Sequence, residues 1–541
     1  MSKFNRTIQV GKPDVVNHEG EPAFSMSKEL ELYSLVCTSL MEDNFYESGA
    51  DNLKRLRSLL DSKDVDDLFV GQLAVYAREK MNLRSVPVVL SVELAKRHSG
   101  DDLVRKVVRR VVNRPDELAE VLSYYATVNK PNWKSLGGGQ MKKLRGLSKQ
   151  LQYGLADAFV KFDEYQLDKW NKSDHEIKLR DVLFLTHPKP ADKEMQEMWD
   201  RLVTGELKKA YTWEATKSKA GQDKRDNKET WEELILSKKM GYMAVLRNLR
   251  NILEAKVSKE TIEAALNFLC NEKAVRNSKQ FPYRFYSAYK EIVKTPSEYS
   301  PMVLEALEKA ALYSIYNVEG FSDNDRILVA CDVSGSMDCT ISAKSVITRA
   351  SVGLLLGMLL AHRCARVITS VFGQNFKVVN FPKSTPLANT LQRERDNFGV
   401  GHSTNGHLAL AWAMNAEESF DKVLLFTDCQ LWHDESNYGG YHYNWGSALE
   451  DNRFMQELQR KGNTKFTRMS IAQLWNLYKP AQSPNAKIYM VDLSGYGNTP
   501  LRISSQERAY FVAGWNADIF NIINKIESGS DALKEIKSIA L

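Results

Sequence analysis

Residues 326–340 read RILVACDVSGSMDCT. An apolar, β-branched run ends there in Asp332, Ser334 and Ser336, a D-x-S-x-S spacing. The run has strand length and no polar alternation, which predicts a strand buried on both faces. Similar runs follow at RVITSVF (366–372), FKVVNF (376–381), DKVLLFTD (421–428), AKIYMVDL (486–493) and RAYFVAGW (508–515). Helical stretches separate them, and SVGLLLGMLLAH (351–362) reads as a buried helix. Strands alternating with helices predict a doubly wound, mainly parallel sheet whose ligands bind outside the carboxyl ends of the strands. CDVSGSMDCT lies at such an end.

Two further polar segments share that position. VGHSTNGHLALAWAM puts Thr404 in a polar loop before a helix, and LLFTDCQ ends an apolar strand on Asp428. Three hydroxyls and two carboxylates form an all-oxygen donor set suited to a hard divalent cation, Mg²⁺ ahead of Mn²⁺. A haloacid-dehalogenase-like phosphatase would need a second acid two residues after the first, where this chain has Ser334. A serine hydrolase would show G-x-S-x-G, which neither VSGSM nor GHSTNG supplies. In a purely structural reading, Ser334 and Ser336 cap a helix beginning near Ile341. No G-x-x-x-x-G-K-[ST] loop and no H-E-x-x-H helix occurs, so the sequence argues against an enzyme. A chelatase subunit would need a partner ATPase for the same reason.

Before NVEGFSDND the pattern is helical instead. LVRKVVRRVVNRPDELAEVLSYYATV (103–128), ETIEAALNFLCNEKAV (260–275) and SPMVLEALEKAALYSIY (300–316) repeat apolar residues at three- and four-residue intervals. Stacked helical pairs of HEAT type and an irregular helical domain would both give this pattern. The expected division is a helical part over 1–322 and an α/β part over 323–541.

The chain has 541 residues, 43% hydrophobic and 26% charged, with a mean hydropathy of −0.40. That is a globular composition too long for one core. The longest apolar run is about half of the ~20 residues a membrane span needs. The opening MSKFNRTIQVGKPD lacks an apolar signal segment, so a cytoplasmic protein with no membrane partner is expected. Six scattered cysteines without CxxC spacing read as reduced thiols.

The net charge of +6 is mild, so the arrangement of cations matters more than their sum. Arg105, Lys106, Arg109 and Arg110 recur at i and i+4 and form one helix face opposite Val104, Val107, Val108 and Val111. Lys142, Lys143, Arg145 and Lys149 follow a triple glycine, and Lys217, Lys219, Lys224, Arg225 and Lys228 form a third cluster. With Trp133, Trp213 and FPYRFY (281–286) nearby, these clusters predict nucleic-acid binding through phosphates and exposed single strands.

The three polar segments together resemble the metal-ion-dependent adhesion site of von Willebrand factor A domains. The resemblance implies that Ser334, Ser336 and Thr404 bind the metal directly while Asp332 and Asp428 act through water, leaving the ion open to an acidic partner. LADAFVKFDEYQLDKWNKSDHEIKLRDVLFLTHPKP (155–190) resembles the TROVE module of the Ro autoantigen family and its bacterial relatives. So do NHEGEPAFSMSKELELYSLV (17–36), NFYES (44–48), MAVLRNLRNIL (243–253) and KQFPYRFYSAYK (279–290).

That resemblance implies a HEAT-like ring whose hole takes single-stranded 3′ ends of misfolded RNA and whose outer surface binds small Y RNAs. It puts His187, Lys169 and Lys172 at RNA-binding positions, although Asp174 stands where the compared family member has arginine. An exoribonuclease partner is implied by the bacterial relatives. The expectation is a monomeric, non-enzymatic, Ro-type RNA-binding protein for small noncoding, Y-like RNA and misfolded RNA, acting in RNA quality control or processing. The rival is a metal-dependent protein–protein adhesion scaffold without RNA binding. The segment 433–466, rich in Tyr, Trp, Asn and Gly, reads as an insertion near the metal face.

Overall fold

The computed structural model describes residues 12–39, 43–128, 147–171, 176–210, 212–223, 225–315, 320–380, 382–432 and 453–541. These residues form two compact units. One contains the described residues up to Leu59 together with Val245–Glu254 and Ile262–Leu533. The other contains Leu60–Ala244, Ala255–Thr261 and Lys534–Leu541. The units cut across the sequence division at residue 322. Composition registers the change from helical to strand pattern there, but not the long-range pairings that decide which segments fold together.

In the first unit, β1 (Val15–Val16) and β2 (Pro22–Ser25) form an antiparallel hairpin. The main sheet contains β3 (Arg326–Asp332), β4 (Arg366–Phe372), β5 (Phe376–Val378), β6 (Lys422–Thr427) and β7 (Lys487–Asp492). The next strand, β8 (Asn498–Thr499), leaves it to pair with β2, joining Phe24 to Thr499. The last strand, β9 (Ala509–Ala513), completes the order β5-β4-β3-β6-β7-β9, parallel throughout except for β5 against β4. The strands fall where the apolar runs predicted them, and β6 is buried along its whole length because both sheet faces are covered.

The helix Arg349–Arg363 packs on this sheet and is buried from Arg349 to Ala361. Its approach depends on Gly357, where an added Cβ would lie 2.8 Å from Val329 Cγ1 and 2.9 Å from Cys331 Sγ. Thr348 caps it by accepting from Ser351 N at 3.2 Å. The capping role read for Ser334 and Ser336 at a helix near Ile341 is therefore corrected: Ser334 stands before a short 3₁₀ turn, Gly335–Asp338, without a side-chain capping bond, Ser336 lies within it, and the α-helix starts later.

The strand order, not the strand direction, reverses between β3 and β6. From β3 the sheet grows one way to β4 and the other way to β6, β7 and β9, so a crevice opens at the carboxyl ends of β3 and β6. Asp332 ends β3, and Asp428 follows β6 directly.

The second unit is helical among its described residues. Asp67–Glu79, Ser85–Arg97, Leu103–Val111, Pro115–Val128 and Lys149–Phe159 are its first helices. The sequence marks their starts with Asp66 as an N-cap and Pro115 at a first helical position. On Leu103–Val111 the residues Val104, Val107, Val108 and Val111 are fully buried, as the periodicity predicted. The helix Lys149–Phe159 approaches it at Gly154, where a Cβ would lie 2.7 Å from Val108 Cβ. Lys161 closes the far end of the Leu103–Val111 helix by donating to the carbonyls of Arg109, at 2.6 Å, and Val112.

Candidate functional site

The crevice gathers all five sequence-predicted metal residues on three loops that are tied to one another. Gly335 N donates to His402 O at 2.8 Å, joining the first loop to the second. Thr404 Oγ1 donates to Gln430 O at 3.1 Å and Trp432 N to Thr404 O at 3.1 Å, joining the second to the third. Thr427 Oγ1 donates to Asp332 Oδ2 at 2.6 Å and closes the circle.

Each donor has a defined posture. Asp332 Oδ1 accepts from Ser334 N at 2.9 Å, which bends the chain so that both serines face one way. The Ser334 and Ser336 hydroxyl oxygens stand 3.4 Å apart. Adjacent ligands of an octahedral Mg²⁺ at about 2.1 Å are about 3 Å apart, so the two hydroxyls can share one ion with little adjustment. Asp428 Oδ1 accepts from Gln430 N at 3.0 Å, while its Oδ2 is buried and accepts no hydrogen bond of ordinary geometry among the described residues. The Ser336 hydroxyl nevertheless stands near enough to favour the charged form of Asp428.

The electrostatics ask for a cation. Burial, then the charge of Asp428, pushes the Asp332 carboxyl above its ordinary range, and burial, with Asp492 nearby, pushes up Asp428. No described lysine or arginine forms an ion pair with either acid. Among the described residues no three His, Cys, Asp or Glu side chains cluster as metal ligands, so an ion here would depend on the three hydroxyls. An orphaned buried carboxylate oxygen, two acids with no ion-pair partner among the described residues, Asp428 feeling only the more distant Arg349 charge, and three hydroxyls form a donor set that fits a hard divalent cation.

The basic residues are treated differently by the fold. Arg105 is bound by Asp157 at 2.6 and 3.0 Å, and Arg110 by Glu79 at 2.8 and 2.7 Å. Lys106 pairs with Asp102 at 3.1 Å. Arg109 is exposed and forms no ion pair with a described residue. The uniform cationic face read from periodicity is thus mostly neutralised, leaving Arg109 as its open charge. Lys169 is exposed beside Tyr165 and Trp170, with its ammonium 5.7 Å from each ring centroid. His187 is exposed as the left-handed C-cap of the helix Leu179–Thr186, with φ 50°. Lys142, Lys143, Arg145 and Lys172 lie outside the described residues, as do Trp133 and Asp174.

The aromatic run FPYRFY is also corrected: Tyr283, Phe285 and Tyr286 are buried in the helix Pro282–Val293 and belong to a core. Exposed rings among the described residues of the helical unit include Tyr153, Tyr165 and Phe184, which the sequence pattern did not single out. Tyr153 carries the Arg105 guanidinium 5.8 Å from its centroid. Residues 433–452 of the insertion lie outside the described residues, and the helix Arg453–Arg460 and the turn Thr464–Arg468 form its end.

Comparison with known proteins bears on both units. The TROVE domain model matches residues 32–222 and 197–305, about half of the chain, and the Ro60 vWA domain model matches residues 326–438. Telomerase protein component 1 of Mus musculus is 26% identical over 351 residues, 50% of this chain and 13% of the mouse protein. The Rattus norvegicus counterpart is 24% identical over 343 residues, 48% of this chain and 12% of that protein. RNA-binding protein RO60 of Deinococcus radiodurans is 24% identical over 205 residues, 36% of this chain and 38% of that protein. This chain therefore spans a minor part of the curated relatives it matches. The crystal structure of the Deinococcus radiodurans RO (RSR) protein shares its fold, with 17% identity and a TM-score of 0.54 over 93% of this chain and 100% of that one. The chain belongs to the TROVE-domain family and carries a Ro60-type vWA domain behind its TROVE domain.

Proposed function

We propose that this chain is a Ro-type RNA-binding protein acting in RNA quality control or processing. The observation that carries this reading is the TROVE match over residues 32–305, in a chain similar to a protein named RNA-binding protein RO60. Its RNA contacts would come from Arg109, Lys169 and His187, which are exposed, and from exposed rings that accept stacked bases. Lys172, Lys142, Lys143 and Arg145 belong to the same reading. The substrates would be small noncoding, Y-like RNAs and misfolded RNAs with single-stranded 3′ ends, bound by a cytoplasmic monomer that cooperates with an exoribonuclease. The vWA domain would hold Mg²⁺ through Ser334, Ser336 and Thr404, with Asp332 and Asp428 supporting it and the ion supplying a Lewis-acidic contact for an acidic partner group.

Sequencing of RNA copurified with the full chain tests the reading. Enrichment of small structured RNA is expected, together with binding that weakens steeply as salt rises. No enrichment, or unchanged binding when Arg109 and Arg110 both become Glu, would refute it.

A further inference from the structure

Adhesion-type metal sites work by offering an ion to an outside carboxylate, yet the donors here are covered: Asp332, Ser334 and Asp428 are 1% exposed, Thr404 4% and Ser336 6%. Part of that cover comes from the N-terminal segment. The turn between β1 and β2 is bound to the third metal loop, with Asn17 Nδ2 donating to Leu431 O and His18 N to Gln430 Oε1, both at 2.9 Å. Trp432 Nε1 donates to Glu19 Oε2 at 3.2 Å. Gln430 is the residue whose own amide holds Asp428, so the turn is fastened to the loop that carries a metal carboxylate.

Tyr46 completes the cover. Its hydroxyl donates to Glu19 Oε1, its ring stacks on His18 at 5.0 Å, and it meets Tyr496 edge-on at 5.3 Å. His18, on which the Tyr46 ring stacks, is itself bound through its N to Gln430 Oε1, so Tyr46 stands over the turn that is fastened to the third metal loop, and the Ser336 hydroxyl and the Asp428 charge both act on its phenol. A phenol held in this way lies against the turn tied to the third metal loop on one side and answers to a surface carboxylate on the other.

We propose that the N-terminal segment closes the metal site in cis, with Tyr46, latched by Glu19, keeping outside carboxylates from the ion until it is displaced. This rests on the metal-site reading above. It assigns His18, Glu19 and Tyr46 to the A-domain's ligand gate. Glu19 is exposed and is the latch's releasable half, so a partner that engages Glu19 would open the site.

The test uses the full chain with Mn²⁺ as the metal and ¹³C-labelled acetate as the carboxylate probe, read by paramagnetic broadening of the acetate signal. Tyr46→Ala and Glu19→Ala should keep Mn²⁺ binding and lower the apparent Kd for acetate, by about tenfold and about threefold respectively. Asp428→Ala should abolish Mn²⁺ binding and all broadening. If wild type, Tyr46→Ala and Glu19→Ala bind Mn²⁺ alike and broaden acetate alike, the gate is refuted and the metal site stands. If wild type binds no Mn²⁺ that Asp428→Ala removes, the metal reading fails and the gate with it. Should Tyr46→Ala fold poorly, the exposed Glu19→Ala variant decides.

Discussion

Glu117 should be the most costly single residue to remove from the helical unit. Its carboxylate is fully buried and accepts from Arg78 Nη2 at 2.9 and 3.0 Å, Arg84 Nε at 3.2 Å, Asn113 N at 2.8 Å and Arg114 N at 3.1 Å. Arg78 in turn donates Nε to Val111 O at 2.8 Å, fixing the last turn of the helix that carries Arg109 and Arg110. Burial lowers the Arg78 pKa, and the Glu117 charge works against that burial. Truncating one side of a buried ion pair costs about 3–5 kcal/mol, and each dry N–H left without an acceptor costs about 1–3 kcal/mol more. Arg84 is 41% exposed and admits water, and Asp116, 3.4 Å from Arg84, remains as a substitute partner, so the sum settles near the lower end. Glu117→Ala should therefore cost about 4 kcal/mol. Glu117→Gln, which keeps the volume and one acceptor oxygen, should cost about 2 kcal/mol. Hydrogen exchange over residues 103–117 reads this locally: about 4 kcal/mol is about a thousandfold faster exchange through opening of that turn. An acceleration below about fivefold for Glu117→Ala, or equal effects of the two variants, would refute the assignment of that energy to the buried charge.

Three further outcomes follow from particular contacts. In metal-free buffer Asp332→Asn should stabilise the first unit by about 1–2 kcal/mol, because it removes a charge opposed by burial and by Asp428, and should abolish any Mg²⁺-induced rise in Tm; a wild-type Mg²⁺ response in the variant would contradict the site. Burial opposes the charged form of His98, but its bonds to Asp101 at 2.7 Å and Asp67 at 2.9 Å outweigh this and raise its pKa above the ordinary 6.5. The native state then holds the proton more tightly than the unfolded one, so His98's contribution is complete below pH 6.5 and is lost as pH rises through the raised value. His98→Gln should flatten the decline in stability above that pH, and an unchanged pH profile would show that the pair contributes nothing. Arg109→Ala should weaken RNA binding several-fold and reduce the salt slope by about 1, while Arg105→Ala should act mainly through loss of its Asp157 pair; equal salt slopes for wild type and Arg109→Ala would contradict the phosphate contact.

What was legible in the sequence follows from range. The strand runs of the main sheet and the buried face of Leu103–Val111 are set by neighbouring residues, and both fell where periodicity placed them. The five residues expected to hold a metal could be singled out because each sits at a strand end or loop with its own local pattern, and the structure brings them together. The ion pairs that silence Arg105 and Arg110 join residues 52 and 31 positions apart, and a charge pattern shows the cation without its partner. The strands β1, β2 and β8 are two to four residues long, too short to carry a periodic signal, so the N-terminal segment's place beside the metal loops was invisible. Glu19 lies in the turn between β1 and β2 and Tyr46 in a loop before the helix Gly49–Leu60, so their contact carries no periodic signal either.

The pairing of Phe24 with Thr499 also sets a timetable. The N-terminal strand is made before its partner, which follows hundreds of residues later, at roughly 5–20 residues per second. For something between half a minute and a minute and a half, the helix Lys28–Thr38 presents Leu32, Leu35 and Val36 with no sheet to cover them. Synthesis thus imposes a waiting period on this chain, during which that apolar helix face needs to be shielded, by chaperones or by its own neighbours, from aggregation.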